Sequence, residues 1–105
     1  MNELKFEATI DFYPGKKAGI PSIGYRPHIV MDDDQEKEYL GIVFEKTDFE
    51  NDYSGTIVFL CLYYNLGVNY NKIVVGESFE IFEGGTAVAK GIITANNNFR
   101  GGEIQ

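Results

Sequence analysis

Two runs rich in β-forming residues, Ser78-Phe79-Glu80-Ile81-Phe82-Glu83 and Thr86-Ala87-Val88-Ala89-Lys90-Gly91-Ile92-Ile93-Thr94, are separated by Gly84-Gly85 alone. A two-residue connection of this kind joins antiparallel strands. Both central positions of a type I′ turn need φ > 0, which glycine reaches without a Cβ clash. The spacing therefore predicts a tight hairpin. Phe79 and Ile81 share one face of the first strand. Ala87, Ala89, Gly91 and Ile93 share one face of the second, with Val88, Lys90, Ile92 and Thr94 opposite. The small residues predict a tightly curved wall, where a facing backbone or bulky side chain comes close. Such a hairpin closes a barrel.

The rest of the chain reads in the same way. Leu4, Phe6, Ala8, Ile10 and Phe12 alternate with Lys5, Glu7, Thr9 and Asp11, a strand with one buried and one wet face. Tyr13-Pro14-Gly15 stops it, and a loop with Lys16 and Lys17 runs to Ser22. A second strand is expected from Gly24 to Met31. Pro27 lies inside it and cannot donate to a central ladder, so an edge or a bulge is expected there. After the polar connection Asp32 to Lys37, Glu38 to Glu45 reads as a third strand, and Thr47 to Gly55 as a polar segment ending in a turn. Thr56 to Tyr64 is apolar on both faces, which predicts a strand covered on both sides or docked outward on a partner. Asn65 to Gly76 is looser, with a short strand expected at Ile73 to Val75. With the closing hairpin the strands number about six, and no helical period or internal repeat interrupts them. Residues 1–95 are expected to form a single β-barrel domain, and 96–105 a flexible C-terminal tail.

A chain of 105 residues with 44% hydrophobic and 14% aromatic side chains can bury one core. Its net charge of -7 argues against a general nucleic-acid binder, since phosphate contacts need clustered Lys and Arg. An acidic surface suits a soluble protein or one that meets a basic partner. Cys61 is the only cysteine, so no intrachain disulfide forms. No signal peptide is visible at the N-terminus, and Ile57 to Leu62, the longest apolar run, is too short to span a bilayer. A cytoplasmic protein without membrane contact is expected.

No set of residues reads as catalytic, so neither enzyme chemistry nor a cofactor is expected. His28 is the only histidine, and Cys61, between Leu60 and Leu62, should be an inert thiol. A phosphate-binding glycine loop is missing, which leaves no place for a nucleotide. The acidic run Asp32-Asp33-Asp34 with Glu36 and Glu38 lacks the spacing of a calcium loop, so it reads as a solvated connection and not a metal site. Tyr63, Tyr64 and Tyr70 cluster around the two-faced strand, while Tyr25, Tyr39 and Tyr53 fall near strand ends or turns. Tyrosines so placed either pack the barrel wall or serve an interface.

Glu83-Gly84-Gly85 followed by Val88, Gly91 and Ile92 resembles the last hairpin of the C-terminal β-barrel of bacterial elongation factor Tu. Gly24-Tyr25-Arg26-Pro27-His28 resembles that barrel's Gly-Tyr-Arg-Pro signature, in the same order and at a similar separation. The likeness runs from Leu4 to Thr94. It implies a six-stranded antiparallel Greek-key barrel with a filled interior, in which Phe6, Ile10, Phe59, Phe79 and Ile81 form the core. It also implies that Arg26 and the Gly-Gly hairpin lie on the side that faces aminoacyl-tRNA in that family. There an arginine usually stands on each side of Glu-Gly-Gly; here the positions are Phe82 and Thr86, which removes two phosphate forks. The expected binding residues are Tyr25, Arg26, Pro27, His28, Phe82, Glu83, Gly84, Gly85 and Lys90. The expected role is a non-enzymatic module docking a protein partner connected with translation. An immunity-type inhibitor of a toxin and a weak tRNA-binding module are the alternatives.

Overall fold

The computed structural model describes residues 4–15, 21–63 and 68–97. Six strands carry the fold: β1 (Lys5–Phe12), β2 (His28–Met31), β3 (Leu40–Phe49), β4 (Ser54–Cys61), β5 (Ser78–Glu83) and β6 (Thr86–Asn96). They close into a barrel in the order β1-β4-β3-β2-β5-β6, with every neighbouring pair antiparallel. β2, β3 and β4 follow one another as neighbours and β1 lies beside β4, which is a Greek key. The expected all-β, six-stranded Greek-key barrel is therefore the observed fold. Closure satisfies the ladder on both sides of each strand and leaves no sheet edge.

The alternation in β1 is expressed as read: Phe6, Ala8, Ile10 and Phe12 are buried. So are the other expected core residues, Phe59, Phe79 and Ile81, joined by Ile29, Leu40, Ile42, Phe44, Ile57 and Ile93. Phe59 sits between two rings, stacked with Phe6 at 5.7 Å and edge-on to Phe79 at 6.4 Å.

Bulges account for most departures from simple alternation. Ile81 pairs with Ala89 and Phe82 with Ala87, so Val88 is an extra residue in β6. Its side chain is buried beside Ala89 in the core, not on the outer face with Lys90 and Ile92. In β3, Phe44 pairs with Phe59 and Lys46 with Val58, leaving Glu45 unmatched. That bulge resets the alternation, so β3 continues through Lys46, Thr47 and Asp48 to Phe49, which packs against the core. The sequence places the end of this strand at Glu45, because the change of phase imitates a stop. Likewise β4 begins at Ser54, two residues before the expected start.

Other expectations are corrected. The Gly84-Gly85 turn does join β5 to β6, but only Gly84 has positive φ, 60°, so the pattern is that of type II′, not type I′. β2 starts after Pro27, not at Gly24. Pairing with β3 nevertheless continues upstream, where Gly24 N–H donates to Phe44 O, Phe44 N–H to Tyr25 O and Ile42 N–H to Pro27 O. Pro27 acts here as an acceptor alone, which its missing N–H allows. Ile73 to Val75 is not a strand. A single 3₁₀ turn, Tyr70–Lys72, precedes it, capped by the Asn69 side chain accepting from Asn71 N–H. The last strand runs to Asn96, and Asn97 N–H donates to Lys5 O, so pairing reaches past the expected start of the tail. Lys16, Lys17, Tyr64 and residues 98–105 lie outside the described residues.

The close approach expected on β6 is found at Gly91. A Cβ there would stand 2.6 Å from Phe79 Cζ, 2.7 Å from Thr9 O and 2.8 Å from Ile10 Cγ2. The carbonyl oxygen belongs to the β1–β6 ladder and cannot step aside. Gly91→Ala should destabilise the barrel by about 1–3 kcal/mol through overpacking. Gly85→Ala, with nothing within 4 Å of the new carbon, should cost far less. Thermal denaturation followed by circular dichroism compares the two; equal losses would mean that Gly91 is not the point of closure.

Candidate docking surface

Pairing of β2 with β5 sets His28 opposite Phe82. Both side chains point outward, because Ile29 and Ile81 beside them point into the core. Tyr39, just before β3, completes an outer row: its ring lies 5.8 Å from His28 and 5.1 Å from Phe82, tilted against both. His28 and Phe82 are half-buried, while Tyr39 stays 45% exposed. These three rings form one patch across three strands.

A fourth ring joins through a glycine. Gly41 is the cross-strand neighbour of His28, and its missing side chain makes room for Tyr63, whose Cε2 would lie 2.5 Å from a Cβ at that position. Tyr63 is held there by its backbone. Its N–H donates to the Tyr70 hydroxyl at 3.1 Å, Tyr70 donates to Gly41 O at 2.7 Å, and Leu62 N–H donates to the same oxygen. Tyr70 itself is buried in the core, with its hydroxyl satisfied in both directions. One tyrosine thus packs the wall while its neighbour, 42% exposed, faces water.

The expected binding residues divide around this patch. Tyr25 lies edge-on to Phe44 at 5.0 Å and donates its hydroxyl to the Glu83 carboxylate. Burial, together with that carboxylate, pushes its phenol far above the ordinary tyrosine range. Tyr25 and Glu83 therefore fasten the chain before β2 to the end of β5. Pro27 is buried, and Arg26 is exposed. Gly84 and Gly85 are exposed at the turn. Lys90 stands apart from the turn, on the outer face of β6 opposite Glu80 and Asp11. Tyr39 and Tyr63 were not among the expected binding residues. Gly41 inside an apolar strand was the available signal, since such a glycine marks a close approach.

The outer face of β4 is less bare than its sequence implies. Val58, Leu60 and Leu62 are half-buried. Leu60 lies between Lys5 and Val43, and the Lys5 ammonium reaches Glu45 at 3.1 Å, laying its aliphatic stem over the wall.

At the other end of β2, Lys72 enters the acidic connection. Its ammonium lies 3.0 Å from Asp34, 3.1 Å from Glu36 and 2.8 Å from Glu38. Asp34 also accepts from the N–H groups of Glu38 and Glu36, and these bonds, with Lys72, hold its carboxyl below the usual range. The three carboxylates thus tie the β2–β3 connection to the 3₁₀ turn. Among the described residues no group of His, Cys, Asp and Glu is arranged to hold a metal ion. Cys61 is buried, and burial pushes its thiol up to about 12. A depression of about 370 Å³ between β1, β3 and β4 is lined by Thr9, Asp11, Asp48, Glu50, Ser54 and Thr56, without an imidazole or a thiol. No described helix is long and apolar enough to cross a membrane.

The chain matches no known protein family, and no curated protein is similar to it. Neither comparison links it to elongation factor Tu.

Two predictions follow from these contacts. Burial raises Cys61 from 9.0 to about 12, and burial with the Glu80 hydrogen bond raises Tyr13 from 10.0 to about 12. The unfolded chain gives up these protons first, so stability is full below pH 9.0 and falls as pH rises toward 12. The Cys61 part amounts to roughly 4 kcal/mol. Denaturant titrations across this range should show the fall, and Cys61→Ala should flatten its onset. In Lys72→Met, three carboxylates lose their counter-charge. The melting temperature should drop at low salt and partly recover at high salt, where screening relieves their repulsion.

Proposed function

We propose that this chain is a non-enzymatic binding module that docks a protein partner on the outer aromatic patch of β2, β3 and β5. The observation that carries this reading is the row His28, Tyr39 and Phe82 with Tyr63, which keeps aromatic area in water on a barrel whose core is already complete. Aromatic rings are enriched at the centres of protein interfaces, where they bury area at little cost in side-chain freedom. A protein fits better than a nucleic acid as occupant, because the net charge of -7 opposes a phosphate backbone. The resemblance to the elongation factor Tu barrel points to translation, and so to the cytoplasm, as the place to seek the partner. With Arg26 the exposed cation of the Gly-Tyr-Arg-Pro stretch, and Phe82 and Thr86 in place of arginines, tRNA binding would be weak. The acidity also favours a second reading, an immunity-type inhibitor that captures a basic toxin by charge.

Affinity capture from lysate of the source cells tests the docking reading. The unchanged chain should retain one or a few specific proteins, and Tyr39→Glu with Tyr63→Glu should lose them by tenfold or more while melting as before. Equal recovery on both chains, or none on either, overturns it.

A further inference from the structure

We propose that the junction between the end of β2 and the lead-in to β5 is a pH-sensitive clamp, in which Asp33 and Glu77 share one proton and bind the two segments together as pH falls below neutrality. The backbone brings the pair face to face. Met31 pairs with Phe79 at the end of the β2–β5 ladder, and one step further Asp32 N–H donates to Ser78 O at 3.1 Å. On the other segment Glu77 N–H donates to Val74 O, closing a turn in which Gly76 takes a φ of 94°. The Ser78 hydroxyl donates to Asp32 at 2.6 Å, so Asp32 already has a donor. Asp33 and Glu77 have each other. Their carboxyl groups lie within hydrogen-bonding reach beside a depression of about 230 Å³ that both line. Among the described residues no ammonium or guanidinium pairs with either.

Two carboxylates this close repel when both are ionised, and one proton between them turns the repulsion into a hydrogen bond. Partial burial, together with the Asp33 carboxyl, holds Glu77 above the ordinary glutamate range. The surrounding charges do not cancel this. Asp32 and Asp34 flank Asp33 and add negative charge. The Lys37 ammonium is bonded to Asp32 O, and Lys72, which lines a neighbouring depression with Glu77, is engaged by Asp34, Glu36 and Glu38. From β6 the lead-in meets the Ile93 backbone, whose N–H donates to Glu77 O. A group raised on folding contributes its stability below its unfolded value, near 4.5, and loses it as pH rises through the folded one. Asp34 behaves in the opposite sense. Held below the usual range, it keeps its charge and its bond to Lys72 while Glu77 takes up the proton. The Lys72 tie and the shared proton therefore coexist in mild acid, whereas at neutral pH the proton is gone.

The test joins a carboxyl-carbon NMR titration of the intact chain to melting temperatures in mild acid and at neutral pH. Glu77 should titrate above the ordinary glutamate range, and in Asp33→Ala its midpoint should fall back toward 4.5. Glu77→Gln gives Asp33 a permanent amide donor. It should melt several degrees above the unchanged chain at neutral pH and level with it in mild acid. Glu50→Gln removes one negative charge from the exposed β3–β4 turn, far from the pair, and should gain clearly less at neutral pH. An unshifted Glu77 titration overturns the proposal, as does a raised midpoint that Asp33→Ala leaves in place. Equal gains from Glu77→Gln and Glu50→Gln also overturn it, because relief of the overall charge would then account for the effect.

Discussion

Closure of the barrel depends on how near β6 can come to β1. At Gly91 the two backbones and the Phe79 ring meet with no space for a side chain. That contact lets a wall of only six strands curve back on itself around Phe59, Phe79 and Ile81. The Val88 bulge acts in the same strand. An extra residue increases local twist, and here it also turns a valine inward where Ala87 could not fill the core. Small residues at the seam and one bulky residue at the bulge are two halves of one packing solution.

The aromatic patch inherits its position from this core. Once Ile29, Leu40, Ile42 and Ile81 point inward, His28, Tyr39, Gly41 and Phe82 must point outward. Tyr70 then links the two layers. Its ring is part of the core, and its hydroxyl fixes both the Gly41 carbonyl and the Tyr63 N–H. The outer rings are thus placed by the same hydrogen bonds that keep a buried hydroxyl satisfied, so a change at Tyr70 would disturb fold and surface together.

Strand faces were legible wherever alternation ran unbroken, as in β1 and in β5. They failed at Glu45 and Val88, because a bulge shifts phase by one residue and one sequence gives no independent marker of register. The 3₁₀ turn was hidden for another reason: Asn69 caps it through a local side-chain bond, while Ile73 is apolar because it joins the core, not because it pairs. Of the residues named through the motifs, the structure sets His28 opposite Phe82 and bonds Tyr25 to Glu83. Tyr39 and Tyr63 were weighed only as tyrosines of the wall or an interface, since their places beside Phe82 and over Gly41 arise only once the strands are folded together.

Solubility and adhesion set opposite demands on such a surface. Four aromatic rings gathered on one wall would promote self-association if the chain were neutral. Charge opposes that outcome without covering the rings, because identical copies repel at every approach while an oppositely charged molecule is drawn in. Lys72 shows how the excess is distributed. It neutralises Asp34, Glu36 and Glu38 at one end of β2, where the β2–β3 connection must fold tightly. Asp48, Glu50 and Asp52, exposed around the β3–β4 turn, remain in solvent and set the long-range field. The net negative charge therefore works against self-association of a barrel that leaves Tyr39 and Tyr63 exposed.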